Sequence, residues 1–151
     1  MNALGAIVAG LAGTSVMSMV MAMAPLMGMP KMDIVGMLGS MFSKEGNTAL
    51  GWVMHVMMGI VFAIVYAVLW SLNIGAATLV FGLVFGIVHW LIVGLMMGVV
   101  PMMHAGIKAG TVKAPGVYMT SDGGIMAFMG GLIGHALYGL VVALVYGFFI
   151  R

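Results

Sequence analysis

Two side-chain types in this sequence could do chemistry in quantity: methionine, at 20 positions, and histidine, at four. The densest run is "MAMAPLMGMPKMD", residues 21–33, where five of thirteen residues are methionine. Thioether and imidazole without thiolate form a ligand set that suits copper, above all Cu(I). Cysteine is absent, which removes disulfides, thiolate zinc sites, iron–sulfur clusters and attached c-type haem together. The candidate metal ligands are Met17, Met21, His55, Met58, Met97, His104 and His135. Met17 and Met21 stand four residues apart, the spacing that lets two sulfurs share one face of a helix, and Met54 and Met58 repeat it. His104 follows Met97 by seven residues and would share its face if the helix ran that far. The competing reading is structural: methionine fills gaps and makes adaptable surfaces, and a histidine in a span is commonly a hydrogen-bonded packing residue. Bis-histidine haem ligation through His55 and His135 is a lesser alternative.

The elements that must carry these residues are membrane helices. The chain has 151 residues, 64% hydrophobic, with five basic and three acidic side chains. Residues 1–30 and 46–107 carry no formal charge, which a water-covered domain cannot sustain and membrane spans require. The expectation is an all-α polytopic membrane protein in one four-helix transmembrane domain, residues 1–151. The spans are expected at about Leu4–Met29, Leu50–Trp70, Ala76–Pro101 and Gly124–Ile150, each of about 20 residues or more. Asn47 or Thr48 is the expected cap of the second and Ser121 or Asp122 of the fourth. Pro25 should kink the first and leave the Met21 carbonyl without its partner. Between the first two spans, "DIVGMLGSMFSKEG" carries a helical apolar stripe too short to cross, expected as an interfacial helix ending at Gly46. Residues 102–123 read as a loop. A cleaved signal peptide is not expected, because the N-terminus lacks a basic region and its apolar run is too long.

An internal repeat is legible. Residues 51–70 align without gaps to 131–150 with seven identities, among them His55/His135, Gly59/Gly139 and Tyr66/Tyr146. This predicts two tandem helical hairpins, about 1–74 and 75–151, with His55 and His135 each facing the bundle. Up-down threading then places every methionine except Met1 at the end of the bundle that carries the long connections. Within the first span, Met17 and Met21 share a face with Gly10, Gly13 and Thr14 and should point inward. Met19 and Met23 should point outward. His89 is expected near mid-membrane beside Trp90, and His135 below the methionine layer.

The stretch "HWLIVGLMMGVVPMMHAGIKAG", residues 89–110, resembles small four-helix integral membrane proteins of bacteria and archaea that have no assigned activity. The resemblance implies the four-span architecture and adds no activity, cofactor or site residue. Catalysis lacks its parts: no carboxylate lies within a span to carry a proton relay, and "GTS" at 13–15 has no partner base. The chain is therefore expected not to be an enzyme. Two functions stand. The first is a non-catalytic accessory subunit of a larger membrane complex, a copper-dependent membrane enzyme being one such complex. The second is a Cu(I)-handling membrane protein with a Met/His site near one face. Expected partners are the lipid bilayer and other membrane subunits or a second copy, with no nucleic acid. The expected location is the cytoplasmic (inner) membrane. Lys31, Lys44, Lys108 and Lys113 at the methionine-rich end would face the cytoplasm by the positive-inside rule, with both termini outside.

Overall fold

Helix boundaries follow from capping chemistry and proline placement. In the computed structural model, residues 1–150 are described; Arg151 lies outside that description, as does the side chain of Asp122 and with it the expected Asp122 cap. Helix α1 spans Ala3–Met23, and the Asn2 side chain accepts the Gly5 N–H at 2.9 Å to open it. Pro25 then ends the α-form rather than bending it. The chain tightens into a 3₁₀ turn over Ala24–Met27, and the Met21 carbonyl, expected to be left over, takes the Ala24 N–H instead. Gly28, at φ +76°, closes this turn in the left-handed region.

Helix α2 spans Ile34–Gly39, capped by Asp33 through the Gly36 N–H. It stops at Gly39, not Gly46, where the Ser40 hydroxyl turns back to the Gly36 and Met37 carbonyls. Met37 and Leu38 are buried, so α2 is tucked over the end of the bundle against α3. Gly51 makes this approach feasible, since a Cβ there would strike the Val35 carbonyl. Helix α3 spans Thr48–Ser71, with Asn47 as its cap. Asn73 and Gly75, both at positive φ, make the tight turn into α4, Leu79–Met96. That helix is shorter than expected, because the chain leaves it in turns before Pro101. A 3₁₀ turn, Val100–Met102, leads into the expected loop, which contains a single turn of helix, α5, Ala105–Lys108, and a second 3₁₀ turn, Val117–Met119. Helix α6, Thr120–Phe149, is broken at Gly124 (φ +52°), and Met119, not Ser121, occupies its cap position.

Four of these helices are long and apolar enough to cross a membrane, and α4, the shortest at 18 residues, reaches about 27 Å against a hydrocarbon core of about 30 Å. The molecule is an all-helical membrane protein of four spans.

The spans pack through small residues, as expected where lipid is the solvent. Helix α1 lies against both α3 and α6, and α4 lies against α6. A Cβ on Gly10 would meet the Ile60 backbone at 2.7 Å, and those on Gly86 and Gly139 would strike the backbone of the facing helix. Helices α3 and α4, although joined by a tight turn, meet chiefly through aromatic side chains. Phe62 stacks on His89 with centroids 3.7 Å apart, and Phe85 packs on Tyr66 and Trp70 at 5.1 and 5.6 Å. The α1–α6 and α3–α4 interfaces, which a repeat would make counterparts, differ: in the first, Gly5 and Gly13 of α1 lie under the side chains of Phe149, Tyr138 and Val142, and in the second the helices are propped apart by rings.

Candidate metal centre

The space left by that propping is an inner cavity of about 70 Å³, measured as room for the centre of a water-sized sphere. A single water needs about 10–15 Å³ on that measure, so the cavity holds a small occupant. Its wall includes Met17 and Met21 from α1, His55 and Met58 from α3, His89 and Met97 from and just beyond α4, and His135 and Tyr138 from α6. Six of the seven ligands expected from the sequence thus share one cavity. The remaining described wall is apolar apart from Thr14, whose hydroxyl donates to the Gly10 carbonyl at 2.7 Å, and the indole N–H of Trp90, which is buried without a hydrogen-bond partner.

Each cavity histidine has one ring nitrogen engaged. The His135 Nδ1 lies 2.8 Å from the Gly131 carbonyl, one helical turn back. A carbonyl only accepts, so Nδ1 carries the hydrogen, and Nε2 of the neutral ring keeps its lone pair. That nitrogen makes no hydrogen bond among the described residues. A backbone carbonyl holding the far nitrogen of an imidazole in this way is the usual support for a metal-binding histidine. His89 stands against His135, ring centroids 4.8 Å apart, with its Nδ1 3.2 Å from the Tyr66 hydroxyl. His55 Nε2 lies 3.0 Å from the Ser18 hydroxyl. Tyr138 donates its hydroxyl to the Gly59 carbonyl and is fully buried.

The two inward methionines pass beside Gly134, next to His135. A Cβ on Gly134 would lie 3.4 Å from Met17 Cγ, 3.7 Å from Met21 Cγ and 3.9 Å from Met17 Sδ. These are ordinary van der Waals distances, so Gly134 faces both inward methionines across room for one methyl group. Met17 is 8% exposed, whereas Met19 and Met23 are 64% and 50% exposed, which separates the inward stripe from the outward one as expected.

His104 does not join them. It is wholly buried outside the cavity, its Nε2–H donating to the Met37 carbonyl at 2.7 Å while Nδ1 accepts the Ile107 N–H at 3.1 Å. With α4 ending at Met96, Met97 and His104 share no helix face, and both nitrogens are occupied in tying α5 to α2. The sequence reading also missed residues. His89 lines the cavity but was not named as a ligand, and Met32, Met37 and Met119 form its wall on the side of the long connections. For His89 the signal was present, a polar ring within an uncharged span. The three methionines come from the connections, and only folding brings them over the bundle.

No curated protein and no solved structure matches the chain. Its residues 1–151 do match a family defined by sequence, and the chain belongs to it: DUF6789, a family of unknown function.

Proposed function

We propose that this membrane protein holds a soft monovalent metal ion, Cu(I), in its inner cavity. The observation that carries the reading is convergence: Met17, Met21, His55, Met58, Met97 and His135, on four separate spans or their ends, line one small cavity together with His89. Packing alone needs methionines in the core but does not need three imidazoles on the same wall, one of which, His135, keeps an Nε2 lone pair free of hydrogen bonds to the described residues. The donors are neutral, and among the described residues the cavity wall contains no carboxylate. Desolvation cost rises with the square of the charge, so a monovalent ion suits this wall better than a divalent one, and soft thioethers select Cu(I) within that class. The cavity is small beside the roughly 300–1,000 Å³ of sites for cofactor-sized molecules, which favours an ion over a haem on His55 and His135. The role is non-catalytic binding or transfer. The location proposed is the inner membrane, with the four-lysine end in the cytoplasm.

The test is metal analysis of the protein purified under reducing, anaerobic conditions. Met17→Leu with Met21→Leu keeps volume and loses sulfur, and should abolish copper binding. Met19→Leu with Met23→Leu should leave it intact. Equal copper in both double variants, or none in the unmodified protein, would reject the reading.

A second reading, an accessory subunit of a larger membrane complex such as a copper enzyme, is favoured by one feature. Met19, Met23 and Leu26, the last 85% exposed, form an outward stripe at the methionine-rich end of the kind that adapts to a partner. Loss of a co-purifying subunit from the outward pair, with copper unaffected, would support it.

A further inference from the structure

Above the inner cavity, on the side of the long connections, lies a second and more polar one of about 520 Å³. Lys31, Asp33, Lys44, Glu45, Asn47 and Thr111 are on its wall, so it is a hydrated vestibule. Among the described residues the two cavities have three wall residues in common, Met32, Met37 and Met119. These three come from the segment before α2, from α2 itself and from the turn before α6. Nothing in helix periodicity aligns them. Two of them are fixed by features of their own. Met37 is held through its carbonyl by His104. Met119 is placed by two successive left-handed residues, Tyr118 at φ +55° and Met119 at φ +57°, a backbone that non-glycine residues adopt only when the surroundings impose it. Met37 is buried, while Met32 and Met119 are half-buried, as a partition wetted on one side requires.

We propose that Met32, Met37 and Met119 form a thioether partition through which Cu(I) passes between the vestibule and the inner cavity. The inference rests on the copper reading of the inner cavity and adds its route. An apolar plug of leucine or phenylalanine would separate the two spaces as well, but it would force the ion to cross without ligands. Thioethers let it exchange one neutral soft ligand for the next, with no proton or electron transferred. A third cleft of about 510 Å³, lined by Ser18, Pro25 and Trp52, borders the inner cavity through Met21, Met32, Ile34 and His55. It is the alternative route, and it does not touch Met37 or Met119.

The experiment uses the full chain in lipid nanodiscs, loaded with Cu(I). It measures copper per chain at equilibrium and the rate at which a water-soluble Cu(I) chelator removes it. Met37→Leu with Met119→Leu should leave equilibrium copper unchanged and slow removal by about tenfold or more, because a soft ligand is lost at constant volume. Met119→Ala, at the half-buried position, should slow removal too, although it widens the passage. Faster removal from this alanine variant would mean a steric plug and overturn the relay. An unchanged rate in the leucine pair would assign the traffic to the third cleft and overturn it equally. Loss of equilibrium copper in the leucine pair would make these methionines part of the binding site rather than its route, again overturning the proposal. If the unmodified chain binds no copper, the inner-cavity reading fails first and the route with it; the other outcomes refute the route alone.

Discussion

At the scale of single residues, the four histidines divide by what their ring nitrogens do. His104 has both nitrogens bonded to backbone, in a fully buried position at the junction of α5 and α2. His135 has one nitrogen bonded to the Gly131 carbonyl and the other toward the cavity. The two should therefore respond in opposite ways to substitution. His104→Ala leaves the Ile107 N–H without its acceptor and removes a donor from the Met37 carbonyl, a loss of about 1–3 kcal/mol for a buried polar group left unpaired. The thermal midpoint should fall while copper per chain stays the same. His135→Phe keeps a ring against Trp90 and removes the nitrogen. It should weaken Cu(I) binding by about tenfold or more with a small change in thermal midpoint. Competition with a Cu(I) chelator and thermal unfolding of each variant decide the matter. Weakened copper binding in His104→Ala with an unchanged midpoint would reverse the assignment.

At the scale of elements, glycine rather than leucine decides which helices touch. Helices α4 and α6 approach closely enough that a Cβ on Gly86 would collide with the His135 carbonyl. Because that carbonyl belongs to the backbone, no rotamer change relieves the contact. Gly86→Leu should displace α4 from α6, destabilising the bundle by about 1–3 kcal/mol or more, and should open the cavity wall carrying His89 and His135. A denaturant titration in detergent, read by tryptophan fluorescence, should show the shift. A wild-type midpoint would mean that the helices separate without cost. By contrast α3 and α4 are held apart by Phe62, Tyr66, Trp70 and Phe85, and this is the side on which room remains for an occupant.

At the scale of the whole molecule, the long connections cap one end of the bundle with polar groups and lysines, while the described residues beyond the helices at the other end are those of the 72–78 turn, Met1, Asn2 and Ile150. If the lysine-rich end is cytoplasmic, a cysteine at Ser43 should be labelled from the cytoplasmic side and one at Ser71 from the outside. Both serines are exposed, so accessibility will not confuse the result. Labelling of Ser71→Cys from the cytoplasm alone would invert the orientation, and with it the side on which the vestibule opens.

Charge-free length was enough to determine that the chain crosses a membrane four times, because the cost of placing charge in hydrocarbon is local and shows in any window of the sequence. Helical periodicity was enough to separate Met17 and Met21 from Met19 and Met23, because the angle between residues on a helix does not depend on its neighbours. Capping by Asn47 was legible for the same local reason. What the sequence by itself did not decide was the depth at which each helix ends and what covers the bundle. Pro25 was legible, but the 3₁₀ tightening that re-used the Met21 carbonyl was one of several ways to satisfy that group. His104 looked like a ligand by spacing, and became a buried staple because α4 stops before reaching it. The convergence of His89 with His135, and of Met32, Met37 and Met119 over them, was decided only by the tertiary structure. Those contacts join residues far apart in the chain, and they are set by where glycines let backbones meet and where rings keep them apart.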